Sequence, residues 1–315
     1  MARAHGARAQ MALAFEGTYG TAPGSGYLKM PFASSTLGAE QPLIDSELLG
    51  YGRDPLPPIK DALTADGDVV IPVDHEGIGH WLKLAFGAPT TTGSSPNWTH
   101  TFQSGGWTLP SASIEIGMPE VPRFAMYSGV RLNELSFTMQ RSGQLQATAR
   151  VIAQGENKAA STAAGSPAAF AVNTRFGSFQ GAITRNAVAL ANIVSAEVTY
   201  SNGLDRIETI RNDGKIDGVD PGMASLRGRI TARFAEETLI DQAIAGTAAV
   251  LTFGWTLNAN TSLIWTANAV YLPRPRVGVP GPQGIEVTFD WQGAQATSPA
   301  RLVDVVLKNQ KASYA

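Results

Sequence analysis

The sequence has no cysteine and little charge. The absence of Cys from 315 residues excludes a disulfide framework, a thiolate metal centre and a cysteine nucleophile. Charged residues make up 16%, against ~25% in ordinary soluble domains. Lys and Arg number 24 and Asp and Glu 26, a net charge of -2. That balance leaves no basic footprint for tight duplex binding. Long apolar runs are missing too, and nothing approaches the ~20 residues of a membrane span. The apolar residues 11–15 follow Arg3 and Arg8 but stop at Glu16, short of the ~7–15 residues of a signal-peptide core. Residues 1–22 therefore read as a mobile or partner-docked arm on a chain that stays in the cytoplasm where it is made. Asn97-Trp98-Thr99 and Asn260-Thr261-Ser262 are then chance matches to a glycosylation pattern.

Hydrophobic residues make up 43% of the chain, too many for a disordered one. Its surface must be built from Gly, Ser, Thr, Ala, Asn and Gln. Such a surface repels its own copies weakly and suits assembly. Most periodic segments alternate with period two, the mark of half-buried strands. Leu135, Phe137 and Met139 alternate with Glu134, Ser136 and Thr138. Ile285, Val287, Phe289 and Trp291 alternate with Glu286, Thr288 and Asp290. The fold class is mainly β with minor α, built of one-sided antiparallel sheets.

Two segments carry helical spacing instead. Residues 74–86 place Ile78, Trp81, Leu82 and Ala85 on one side, with Asp74 as N-cap and Gly87 past the end. Residues 236–245 do the same with Leu239, Ile240, Ala243 and Ile244, closing at Gly246. Each helix follows a strand, and that strand follows a long Pro/Gly-rich excursion (41–61 and 202–223). This order of elements recurs at an offset of about 160: Val69 to Ile230, Gly87 to Gly246, Leu145 to Val303. The expected organisation is an arm (1–22), a first unit (23–155), a linker (156–170) and a second unit (171–315). Loops of this length are uncommon unless functional. Both carry apolar residues that a solvated loop does not need: Leu43, Ile44, Leu48, Leu49 and Tyr51 in one, Leu204, Ile207, Ile210 and Ile216 in the other. With their neighbours Arg53, Asp54, Arg206, Lys215 and Asp217 they are candidate contacts to a neighbouring subunit or ring.

Catalytic chemistry finds little support. His75 and His80 are five apart, which rotates the second by about 140° on a helix, so they do not share a face as a zinc helix requires. The run 212–218, NDGKIDG, loosely resembles a calcium loop, yet Lys215 stands where a ligand is needed and no bidentate Glu follows. The collagen-like run 278–284 is too short for a triple helix. There is no phosphate-binding loop, no nucleophile elbow and no dinucleotide glycine pattern. The chain reads as a non-enzyme without cofactor. Arg227, Arg229 and Arg233 share one strand face. Without interleaved aromatics they fit ion pairing to an adjacent subunit better than nucleic-acid stacking. Glu115, Glu134, Glu286 and Asp290 lie on polar strand faces, either solvated or lining a pore.

Several stretches carry a family resemblance: YLKMPFASSTLGAEQPLIDSELLGYGRDP (27–55), DGDVVIPVD (66–74), WLKLAFGAPTTTG (81–93), LPSASIEIGMPEVP (109–122), YSNGLDRIETIRNDGKIDGVDPG (200–222), VYLPRPRVGVPGPQG (270–284) and FDWQGA (289–294). Together they resemble major tail tube proteins of long-tailed, non-contractile phages. The resemblance implies two tandem tube-type β-sheet or barrel units, each flanked by a helix. It implies a virion protein whose sheets join side by side into rings, with the rings stacked into a conduit for genomic DNA. Two units per chain imply three chains per pseudo-sixfold ring. Tape measure, terminator and distal tail proteins are the implied partners, with neither membrane nor specific DNA binding. A parity argument then makes Glu134, Glu286, Thr288 and Asp290 candidate lumen residues. A tail terminator, a baseplate hub or a secretion-system tube protein is the alternative.

Overall fold

Period-two alternation is realised through most of the chain in a computed structural model that describes residues 3–314 except 170, 171, 173 and 280. The first half holds β1 (Gln10–Phe15), β2 (Gly38–Glu40), β3 (Thr64–Pro72), α1 (Ile78–Phe86), β4 (Thr90–Ser94), β5 (Asn97–Gln103), β6 (Ala112–Met118), β7 (Arg123–Gln140), β8 (Gln146–Ile152) and β9 (Gly155–Ala159). The second half holds β10 (Gly181–Arg185), β11 (Ile193–Ser201), β12 (Ser225–Arg233), α2 (Thr238–Ala245), β13 (Ala249–Asn258), β14 (Thr261–Tyr271), β15 (Glu286–Gly293) and β16 (Val303–Asn309). The protein is mainly β with minor α.

Three layers result. The first sheet runs β2–β3–β8–β7–β11–β12–β15, every ladder antiparallel. The second runs β10–β13–β14–β16–β5–β4. The two sheets meet where Val270 and Tyr271 of β14 pair with Gly293 and Gln292 of β15. A third layer is β1–β6–β7–β9. Strand β7 belongs to two layers and bends between them at Gly129, whose φ of 65° favours glycine. Any Cβ there would meet the Gln154 side chain at 2.8 Å.

Both main sheets cross the midpoint of the chain, β7 to β11 in one and β5 to β16 in the other. One apolar core fills the space between them. Its aromatic residues also cross the midpoint: Phe86 lies 5.7 Å from Trp265, and Phe137 lies 5.1 Å from both Trp255 and Trp265. Helix α1 is buried except at Lys83. Each large side chain it buries is worth roughly 1.5–3 kcal/mol. Just ahead of it, Asp74 accepts the backbone N–H groups of Glu76 (2.7 Å) and Gly77. Helix α2 buries only Leu239 and Ala243.

Four expectations need correction. Residues 10–15 are no arm: β1 pairs with β6 along its whole length, and Met11 and Leu13 are buried. The run is too short to target a membrane but long enough for a strand covered on both faces. The linker is no free tether: residues 155–159 form β9, and Ala168–Ala169 pair in parallel with Leu28–Lys29. Glu115 does not face solvent or a pore. It is buried, and its carboxylate accepts the Thr162 hydroxyl (2.5 Å) and the Ala163 N–H (2.7 Å), which pins the linker down. Finally, β15 takes the place that β8 holds in the first half, since β3 pairs with β8 and β12 with β15. Strand β16, expected there by offset, joins the second sheet instead. Both closing strands alternate with period two, so periodicity could not tell them apart.

Candidate functional site

The outward face of the first sheet is mostly polar, with Val70 and Pro72 of β3 as apolar exceptions. Alternation and register align its side chains in rows. One row reads Asp68, Arg150, Glu134, Ser201, Ser225; another reads Thr138, Glu197, Arg229, Asp290. Glu134, Glu286, Thr288 and Asp290 all lie on this one face, with Ser136, Thr138, Thr148, Thr199 and Thr231 between them. Thr231 and Thr288 stand 3.2 Å apart, hydroxyl to hydroxyl.

The arginines of this face are mostly paired within the chain. Arg229 meets Asp290 at 2.6 Å and Arg233 meets Glu286 at 3.8 Å. Arg150 lies 3.6 Å from Asp68 and 3.5 Å from Glu134. Arg229 and Arg233, expected to face another subunit, thus already have acidic partners within the chain. Strand β15 lies beside β12 and sets an acid opposite each. Arg227 stands opposite Thr199 and Gln292 instead. The face carries Glu40, Asp66, Asp68, Glu134, Glu197, Glu286 and Asp290 against Arg150, Arg227, Arg229 and Arg233.

The two excursions have a common form and different surroundings. Each is a two-stranded ribbon: Leu43–Ile44 with Ile59–Lys60, and Asp205–Ile207 with Gly218–Asp220. The first projects, leaving Leu48 69%, Leu49 91% and Tyr51 70% exposed, with Arg53 and Asp54 also on the surface. The second folds back over the first half. Arg206 pairs with Asp66, Leu204 N–H donates to Asn133, Leu63 N–H donates to Gly214 and Arg131 donates to the Val219 carbonyl. The Gln154 amide donates to the Asp217 carbonyl, and Lys215 packs beside Gly155. At its root Asn202 is buried; its amide donates to the Ala85 (3.1 Å) and Leu132 (2.9 Å) carbonyls. Of its apolar residues, Ile207 and Ile216 are half-buried while Ile210 is fully exposed.

The weaker motifs resolve into structure. Arg211 clasps Asp213 (2.8 Å) and Asp217 (2.9 Å), so the calcium-like run is closed by its own guanidinium. That guanidinium holds the Asp213 carboxyl below the usual range. His75 Nδ1 donates to the Thr174 carbonyl (3.1 Å). His80 packs edge-on against Tyr314, 5.1 Å between ring centres. Burial pushes His80 down to about 3. Among the described residues no group of three His, Asp or Glu is placed to hold a metal. No helix among them is long and apolar enough to cross a membrane.

A continuous one-sided sheet with a polar, internally paired face and a projecting apolar ribbon is the geometry of an assembling wall. The sequence matches a family model described as Phage tail tube protein over residues 6–293. The chain belongs to the phage tail tube protein family. It is a structural protein of the phage tail. No curated protein matches it in sequence. Sequence reasoning placed Glu134, Glu286, Thr288 and Asp290 on one face by parity. It missed Asp66, Asp68, Arg150 and Glu197 on that face, because their role depends on which strands are neighbours. It also missed the C-terminal Tyr314, buried with its hydroxyl donating to the Glu76 carbonyl; a lone Tyr five residues past a strand carries no periodic signal.

Proposed function

We propose that three copies of this chain close into a pseudo-sixfold ring, and that rings stack into the tube of a long, non-contractile (siphovirus-type) tail. The polar face of the first sheet lines the lumen. The ribbon of residues 41–61 reaches a neighbouring copy, and tape measure, terminator and distal tail proteins bound the tube in the virion. The observation that carries this reading is the continuous first sheet, which already joins the two halves through the β7–β11 ladder. Its two outer strands, β2 and β15, each keep an edge with few partners. Closing the sheet on further copies removes those edges.

The face suits passage of DNA during ejection into the host. Bare arginines would bind phosphates by counterion release. Here carboxylates already neutralise Arg150, Arg229 and Arg233, and hydroxyls fill the spaces between. Negative-stain microscopy of the purified chain and of the virion tests the assembly. Stacked rings are expected; monomers in every preparation would overturn it. Glu286→Lys with Asp290→Lys tests the lumen. Virions with intact tails and impaired DNA ejection are expected, and normal ejection would move the lumen to another face.

A further inference from the structure

A shift of 161 positions carries residues 34–70 onto 195–231 with their pairing intact. It takes Gly38↔Asp66 onto Thr199↔Arg227 and Ser34↔Val70 onto Ser195↔Thr231. It takes the ribbon pair Ile44↔Ile59 onto Asp205↔Asp220. Strand and ribbon are therefore repeated as one unit, register included.

The second copy of that unit is docked within the chain. Strand β11 pairs with β7, and the ribbon that follows lies over the first half through the Arg206–Asp66 ion pair. The first copy of the unit has no such seat. Among the described residues, β2 pairs with β3 alone, and the ribbon of residues 41–61 projects.

The shift also says what the missing contact is. Arg206 corresponds to Asp45 and Asp66 corresponds to Arg227. The pair recurs with its charges exchanged. A second pair does the same inside the chain: Asp68 with Arg150 on β3–β8 becomes Arg229 with Asp290 on β12–β15. Asp45 and Arg227 are both exposed, and neither side chain has an ion pair or hydrogen bond among the described residues. Arg227 is thus the odd arginine of its stripe. The receiving side is also open. Pro273 and Pro275 have no N–H to extend the β14–β15 ladder, which stops at Tyr271 and Gln292. Met223, which precedes the position equivalent to Leu63, is 91% exposed.

We propose that the seam between copies repeats the seam inside the chain with its ion pair reversed. Asp45 of one copy meets Arg227 of the next, and the ribbon of residues 41–61 lies over that copy's β12–β15 end. The ribbon then acts laterally, within a ring. The inference rests on the ring reading above, but it has its own test.

The chain lacks cysteine, so an introduced pair reports cleanly. Asp45→Cys with Arg227→Cys is expected to yield a covalent ladder on oxidation that ends at three chains. Arg227→Asp alone is expected to cut tube yield at least tenfold with an unchanged monomer melting temperature. Adding Asp45→Arg is expected to restore it. Tubes from Arg227→Asp as abundant as wild type would overturn the seam, as would a double charge swap no better than the single one. Wild-type chain that never forms rings would instead overturn the ring reading and the seam with it.

Discussion

Helix α1 and helix α2 stand at equivalent places in the two halves and share little else. All of α1 but Lys83 is buried beneath residues of both halves, whereas α2 covers the sheet with Leu239 and Ala243 and leaves Ile244 55% exposed. The ribbons show the opposite arrangement. The first half exposes its ribbon, and the second half folds its ribbon inward. The same order of elements thus serves two purposes. What a half buries within the chain stabilises the monomer, and what it leaves out is free for another copy.

Substitutions at matched places should break or sharpen this contrast. The largest expected effect is in α1. Leu82→Ala removes a fully buried side chain and should cost about 3–5 kcal/mol in denaturant unfolding. A loss below about 1 kcal/mol, the size of a partly solvated site, would show that α1 is not the core helix. The ribbons come next. Asn202→Ala strips the amide from the Ala85 and Leu132 carbonyls and should cost about 2–3 kcal/mol. Leu48→Ser with Leu49→Ser should leave monomer unfolding unchanged and abolish tubes. If both sets lowered the melting temperature equally, the ribbons would be equivalent after all.

Acid should act on the first half through His80. Its folded pKa is near 3, below its ordinary 6.5, because burial disfavours the charged ring. The unfolded chain binds a proton near pH 6.5 and the folded chain does not. This contribution is therefore full above pH 6.5 and is lost as pH falls towards 3. Between pH 7 and 5 the loss is roughly 2 kcal/mol. His80→Leu should flatten that part of the stability profile relative to wild type, and an unchanged slope would assign the acid sensitivity elsewhere. The smallest effect is expected in α2, where Ile244→Ala should shift unfolding by less than about 0.5 kcal/mol.

Much of the first sheet was legible in advance. Period two marked Glu134, Glu286, Thr288 and Asp290 as polar-face residues, and all four lie on one face. Helical spacing found both helices, although α1 begins at Ile78 with Gly77 and not Asp74 at its N-cap position, and α2 begins at Thr238 and not at Glu236. The ion pairs of Arg229 and Arg233 were not legible, because a strand's sequence does not name its neighbour. Nor was the pinned linker, since its small residues say nothing of the buried Glu115 carboxylate that holds them.

The sequence by itself determined the β character, the polar and apolar sides of each strand, the repeat and the exclusion of thiolate chemistry. Those follow from local spacing and composition, which need no partner. Only the tertiary structure decided that the halves share one core, that β15 and not β16 sits beside β12, and that one ribbon is docked while the other is free. Strand pairing joins residues far apart in the chain, and its energy depends on packing across the sheet that no local pattern records.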